Sequence, residues 1–182
     1  MSTLKPPVGA ADHAQGPESA PVTLVEYGDY ECPYCGAAYP VVKRLQKHYG
    51  NRLRFVFRNF PLTNAHPHAE LAAETAEFAG AHEKFWEMHD LLYENQDRLG
   101  ISLFEQLADS LQLPLYELAQ ALQSHQFKSR VRADFSSGAR SGVNGTPTFF
   151  INGTRYENSP EYPDMLAAID EALKGHSKSA NA

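Results

Sequence analysis

Val22-Thr-Leu-Val-Glu-Tyr-Gly-Asp-Tyr-Glu-Cys-Pro-Tyr-Cys35 is the stretch on which the fold turns. Its first six residues are apolar and β-branched and follow Pro21, which reads as a short buried strand. Gly28 to Glu31 breaks the run. Pro33 suits the first turn of a helix, where its missing N–H forfeits no bond. Apolar Ala37, Ala38, Val41, Val42, Leu45 and Tyr49 then recur at three- and four-residue spacings. The pattern predicts a helix over 33–49, kinked by Pro40 and ended by Gly50-Asn51. Leu53-Arg-Phe-Val-Phe-Arg-Asn-Phe60 is a second strand, stopped by Pro61.

Farther out, a block from about Pro67 to Ser141 has helical character. Candidate helices cover Ala69–Ala79, His82–Gln96, Ser102–Ser110, Pro114–Ser124 and Phe127–Arg140, with Gly80, Gly100 and Gly142 as stops. Gly145-Thr-Pro-Thr-Phe-Phe-Ile151 is a strand, Asn152-Gly153 a hairpin turn, and Thr154-Arg-Tyr156 the returning strand. Tyr162–Lys174 closes as an amphipathic helix. The order is β-α-β, a helical block, then β-β-α: an α/β domain with one small mixed sheet and an inserted all-helical subdomain over 66–141. Residues 1–20 read as a flexible leader and 176–182 as a frayed tail.

Composition narrows the function. The chain has 182 residues, 42% of them hydrophobic, which suffices for one domain with a real core. Its formal net charge of −6 disfavours a general nucleic-acid binder. Between Lys43 and Arg58 there are six basic residues and no acidic one. Several of them complement the negative end of the first helix, and a nucleic-acid patch is the less favoured reading. No apolar run has the length of a membrane span or a signal-peptide core, so the expectation is a cytoplasmic protein, or a periplasmic one if a signal segment has been removed.

The two cysteines, Cys32 and Cys35, form a single C-x-x-C. Such a motif is half of a zinc site, a redox pair, or an accident. Zinc would require His48, His66 or His68 to complete four ligands. Position favours the redox pair. Cys32 lies just after a strand at a helix start, where unpaired N–H groups and the helix dipole stabilise a thiolate. Cys35, one turn inward, is placed to attack a mixed disulfide on Cys32.

These segments together resemble the DsbA-like thiol–disulfide oxidoreductases. The likeness is carried by Val-Glu-Tyr-Gly-Asp-Tyr-Glu-Cys-Pro-Tyr-Cys, by Arg58-Asn-Phe-Pro-Leu62, His66-Pro-His68 and Phe85-Trp-Glu-Met-His89, and by Gly-Thr-Pro-Thr-Phe-Phe-Ile-Asn-Gly. It implies a thioredoxin-like βαβ–ββα unit over 21–65 and 142–175, with the helical insertion as a lid. Cys32 would be the exposed nucleophile, Cys35 the resolving thiol, Pro147 a cis-proline, and Glu26 a buried acid behind Cys35. Pro33, Tyr34, Thr146 and Pro147 would meet the substrate. Partners would be thiol- or disulfide-bearing proteins or glutathione, with glutathione or a thioredoxin for recycling and no resident cofactor.

Departures from the family pattern bear on direction. The dipeptide Pro33-Tyr34 supplies no histidine charge, and Asp29 and Glu31 place negative charge before Cys32. The expectation is a moderately depressed thiol and a less oxidising couple. Glu26 is alternatively an edge residue facing solvent. Arg58 is either its partner or an ordinary surface arginine. His66 and His68 are helix-start or solvent-facing residues by default, and His89 and Trp86 read as packing. The competing functions are a glutathione-dependent transferase or isomerase on the same fold, and a chaperone-like or zinc-binding protein without catalysis.

Overall fold

One parallel pair, with antiparallel strands on either side of it, makes a five-stranded sheet. The computed structural model describes residues 2–180, with side chains through residue 175. His13–Gln15 forms β1, Val22–Gly28 β2, Pro33–Tyr49 α1 and Leu53–Asn59 β3. Five helices follow: α2 (Ala69–Ala81), α3 (Phe85–Glu94), α4 (Ile101–Ser110), α5 (Leu115–Gln123) and α6 (Lys128–Arg140). Thr148–Ile151 (β4), Thr154–Arg155 (β5) and Tyr162–Ala180 (α7) complete the chain. The sheet order is β1-β3-β2-β4-β5. β2 and β3 run parallel, and the other neighbours are antiparallel. Asn152 and Gly153 carry φ of 47° and 80°, the two left-handed residues that a tight β4–β5 hairpin requires.

β2 is buried along almost its whole length because both faces of the sheet are covered. On one face Val22, Leu24, Phe55, Phe57 and Phe149 meet Cys35, Val42 and Leu45 of α1, Met88 and Leu92 of α3, and Met165 and Ile169 of α7. On the other, Val25, Tyr27, Val56 and Phe150 pack with Leu4, Phe60 and Val143. The second face is covered by α6, where Phe135 stacks on Phe60 at 4.2 Å. A Cβ on Gly138 would come within 2.7 Å of the Phe60 ring, so glycine permits that approach. Each large apolar side chain buried this way stabilises the fold by about 1.5–3 kcal/mol. A few of them offset a polar group held out of water in their midst.

The structure revises several sequence expectations. Residues 2–20 are not a loose leader. β1 pairs with β3, Thr3 bridges Thr154 at the opposite edge, and Leu4 is buried. Arg58 neither pairs with Glu26 nor faces solvent. It is buried, its Nε and Nη2 donate to Asp12 at 2.7 and 2.9 Å, and its Nη1 donates to the Tyr27 hydroxyl at 2.9 Å. So polar pairing with Asp12, more than apolar pattern, fastens the N-terminal segment. α7 continues to Ala180, so the expected fraying over 176–180 is replaced by helix; 181–182 lie outside the described residues. α3 is shorter than expected because Glu83, at φ 62°, breaks the backbone before it.

Candidate active site

The end of β2 and the start of α1 place both cysteines. Cys32 is the N-cap of α1 in an extended conformation (φ −73°, ψ 120°), and Pro33 opens the first turn. The backbone N–H groups of Tyr34 and Cys35 therefore point back at the Cys32 sulfur. Both cysteines are free, so the structure shows the dithiol. Across the cleft the Thr146–Pro147 peptide is cis. The Cys32 thiol donates to the Thr146 carbonyl at 3.3 Å. The buried Thr146 hydroxyl has no other partner and also favours a thiolate there.

These surroundings separate the two thiols. The Cys35 thiol donates to Cys32 and, with the helix N–H groups and Thr146, brings Cys32 down to about 5 against the opposing effect of burial. Cys35 moves the other way. Burial pushes it well up, and its own hydrogen bond to Cys32 and the charge of Glu26 add to that. Only the Asp29 N–H, donating to Cys35 Sγ at 3.5 Å, acts against the rise. One thiol ionises easily and its neighbour holds its proton.

Glu26 lies beneath the pair. It is 2% exposed, and its register neighbours are Phe57 on β3 and Phe149 on β4, members of the same apolar cluster as Cys35. Its Oε1 is buried without a partner. Desolvation foremost, then the Cys32 charge, raises it from an ordinary 4.5 to about 8. It is therefore a protonated carboxyl at neutral pH.

The insertion reaches this turn at four places. Gln96 Nε2 donates to the carbonyls of Tyr30 and Cys32, both at 2.8 Å, and so fixes the peptide units that flank Glu31. His66 Nδ1 donates to Asp29 Oδ2 at 2.7 Å, and His68 Nδ1 to Glu31 Oε1 at 2.8 Å. The Tyr30 hydroxyl lies 3.0 Å from His89 Nδ1, inside a cluster with Phe57 and Tyr93. Burial drives His89 down to about 3, so it stays neutral and packs as an aromatic ring.

Residues 10–171 match the model of the thioredoxin family. The chain belongs to the thioredoxin family. BdbD from Bacillus subtilis, solved in its oxidised form, superposes with a TM-score of 0.84 at 27% identity, covering 96% of this chain and 98% of that one. Wolbachia pipientis α-DsbA1 gives 0.83 at 18% identity, with 96% of both chains covered, and bears on the fold alone. A Na(+)/H(+) antiporter NhaA from Salinispora arenicola is 44% identical over 164 residues, which are 90% of this chain and 25% of that protein. The chain spans about a quarter of the length of such curated relatives. The fold is shared with BdbD and with α-DsbA1.

Within this thioredoxin-family chain, Cys32, Cys35, Glu26, Thr146 and Pro147 converge on one site. Pro33 and Tyr34 stand at its rim, Tyr34 being 73% exposed. Cys32 is only 3% exposed, which corrects the expectation of an open nucleophile: its sulfur is tucked against the Thr146 carbonyl. Tyr30, two residues before Cys32, does not line that rim: its ring is buried on Phe57 and Tyr93. Asp29 and Glu31 do not stand alone before Cys32, since each accepts a hydrogen bond from a histidine of the insertion. Among the described residues, the one group of three metal-capable side chains that gathers is Glu70, Glu74 and His125, which includes neither cysteine. Gln96 and Tyr93 escaped sequence reasoning, which read their helix only as packing. The one signal available for His66 and His68 was the alternation Asp29-x-Glu31 against His66-x-His68.

Proposed function

We propose that the chain is a dithiol–disulfide oxidase that passes the Cys32–Cys35 disulfide to the paired thiols of a substrate. The observation that carries this reading is the set of donors gathered on Cys32 Sγ, the first N–H groups of α1, the Cys35 thiol and Thr146, which stabilise its thiolate. A couple whose reduced form is stabilised gives up its disulfide readily, and a low-pKa thiolate is a good leaving group. The depression to about 5 supports a more oxidising couple than the dipeptide Pro33-Tyr34 suggests.

The steps close chemically. A substrate thiolate attacks Cys32 Sγ of the oxidised chain, the Cys32–Cys35 bond breaks, and Cys35 departs as a thiolate. Protonated Glu26 is positioned to supply the proton that Cys35 takes up. The second substrate thiolate attacks the substrate sulfur of the mixed disulfide, and Cys32 leaves. The substrate has lost two electrons and two protons, and the chain holds the dithiol. An external disulfide or other oxidant restores it. Glutathione disulfide or an oxidised thioredoxin-like partner has the right chemistry, and no resident cofactor enters these steps.

The Thr146 backbone beside Cys32 and exposed Tyr34 support an extended, thiol-bearing polypeptide as substrate. No described helix is long and apolar enough to cross a membrane. An oxidising couple works where thiols are not kept reduced, so the reading favours an extracytoplasmic location over the cytoplasmic one. Equilibration with glutathione at pH 7, read by alkylation mass shift, tests it. The expected potential lies well above the roughly −270 mV of thioredoxin. A potential at or below that value would make the chain a reductase.

A further inference from the structure

The two acids before Cys32 and the two histidines that open the insertion meet in register, Asp29 with His66 and Glu31 with His68. The inner pair is the more enclosed: the Asp29 side chain is fully buried and that of His66 is 18% exposed. Asp29 Oδ1 accepts the Glu31 N–H at 2.8 Å, and Oδ2 accepts both the Leu62 N–H at 2.8 Å and His66 Nδ1 at 2.7 Å. The main chain of Asp29 binds both cysteines, its carbonyl accepting the Cys32 N–H at 3.1 Å and its N–H donating to Cys35 Sγ at 3.5 Å. The outer pair repeats the pattern toward solvent, with the His68 N–H donating to Glu31 Oε2 at 2.6 Å and His68 Nδ1 to Oε1 at 2.8 Å.

A buried carboxylate this close to the dithiol opposes ionisation of Cys32. A carboxylate oxygen only accepts, so His66 must present its Nδ1 proton to Asp29. We propose that His66 is a positioning residue that sets the acidity of Cys32, and through it the potential of the couple, by balancing the charge of Asp29. His68 does the same for Glu31 at the rim. The insertion thereby supplies the cationic partner that Tyr34 does not. Asp29, Glu31 and the Cys32 charge all favour the protonated form of His66 and outweigh its partial burial. Glu26, facing the thiol from the sheet, is held neutral and adds no competing charge at pH 7.

The inference rests on the redox reading of the same site, and one set of measurements separates their failures. His66→Gln keeps an N–H donor for Asp29 and removes the charge. Its Cys32 is expected to titrate about one pH unit higher in an alkylation profile, with the glutathione equilibrium moved about tenfold toward the chain disulfide. Adding Asp29→Asn to His66→Gln should return both readouts most of the way to wild type. A His66→Gln chain that loses thermal stability yet keeps the wild-type thiol profile and equilibrium would overturn the proposal, leaving His66 a structural residue. Should His66→Gln not fold, His68→Gln carries the same test with a smaller shift in the same direction, and no shift there overturns it. Failure of the oxidase reading would show instead in the potential of the wild-type chain.

Discussion

Cys32 and Cys35 stand on one turn of one helix, yet they meet opposite surroundings. Around Cys32 are donors: the first N–H groups of α1, the Thr146 hydroxyl and the Cys35 thiol. Its neighbouring acids are each held by a histidine from the insertion. Around Cys35 are the apolar sheet and a buried carboxyl whose Oε1 has no partner. The difference teaches that thiol acidity here is set by which layer of the fold a sulfur faces. Insertion and loop stabilise the charge on one side, and the sheet withholds it on the other. An exchange enzyme needs both, a thiol that leaves easily and a partner that takes up a proton.

The largest expected effect comes from removing the ionisable side altogether. Cys32→Ser should abolish oxidation of a dithiol peptide, whereas Cys35→Ser should retain one thiol and accumulate mixed disulfides visible by mass spectrometry. Trapping on Cys35 in the Cys32→Ser chain at a comparable rate would erase the distinction between the two sulfurs.

Glu26→Gln acts on the withholding side and carries two signs. The folded chain holds the Glu26 proton up to about pH 8, against an ordinary value of 4.5. The folded state therefore binds that proton more tightly, and stability falls as pH rises from 4.5 to 8, the cost being complete above 8. Glu26→Gln removes the cost. Its stability gain should be nil below about pH 4.5 and reach roughly 5 kcal/mol above pH 8, measured by urea unfolding. The same variant should slow the steps that move the Cys35 proton by about 100-fold, with Cys32 alkylation little changed. A variant less stable than wild type at pH 9 would show that Glu26 is satisfied in the fold and poses no cost.

Gln96→Ala tests the anchoring of the Cys32 side. It strips one donor from the Tyr30 and Cys32 carbonyls, a loss of about 1–3 kcal/mol by unfolding, with a modest rise in the Cys32 profile. Gly36→Ala should give a weaker version, because its Cβ would lie 2.2 Å from Gln96 Oε1 and push that amide off the turn. Unchanged stability in both would separate Gln96 from the active-site turn.

What was legible in the sequence follows from how far each signal reaches. β2, α1, β3, β4 and α7 announced themselves through local runs of apolar residues, and the resulting thioredoxin-like order is the one observed. β1 did not, because three residues carry no periodicity and the segment is fastened by the Asp12–Arg58 pair, 46 residues apart. At the site, the cysteines, Glu26 and Thr146-Pro147 stood out by spacing from one motif. His66 and Gln96 did not, since their partners lie 37 and 64 residues back along the chain and a polar contact leaves no periodic trace. The sequence reading weighed the helix start, Tyr34, Asp29 and Glu31 but not the hydrogen bonds that Cys35 and Thr146 make to Cys32, which is why a milder depression of its thiol was expected than the structure supports.

The most direct test of the contrast between the two sulfurs is the pH dependence of alkylation in the reduced wild-type chain, with each cysteine resolved by peptide mass spectrometry. Cys32 should react with a midpoint near pH 5 and Cys35 should stay largely unmodified beyond pH 9. Two superimposed profiles with midpoints near 8.5, the value of an ordinary free thiol of about that acidity, would contradict it.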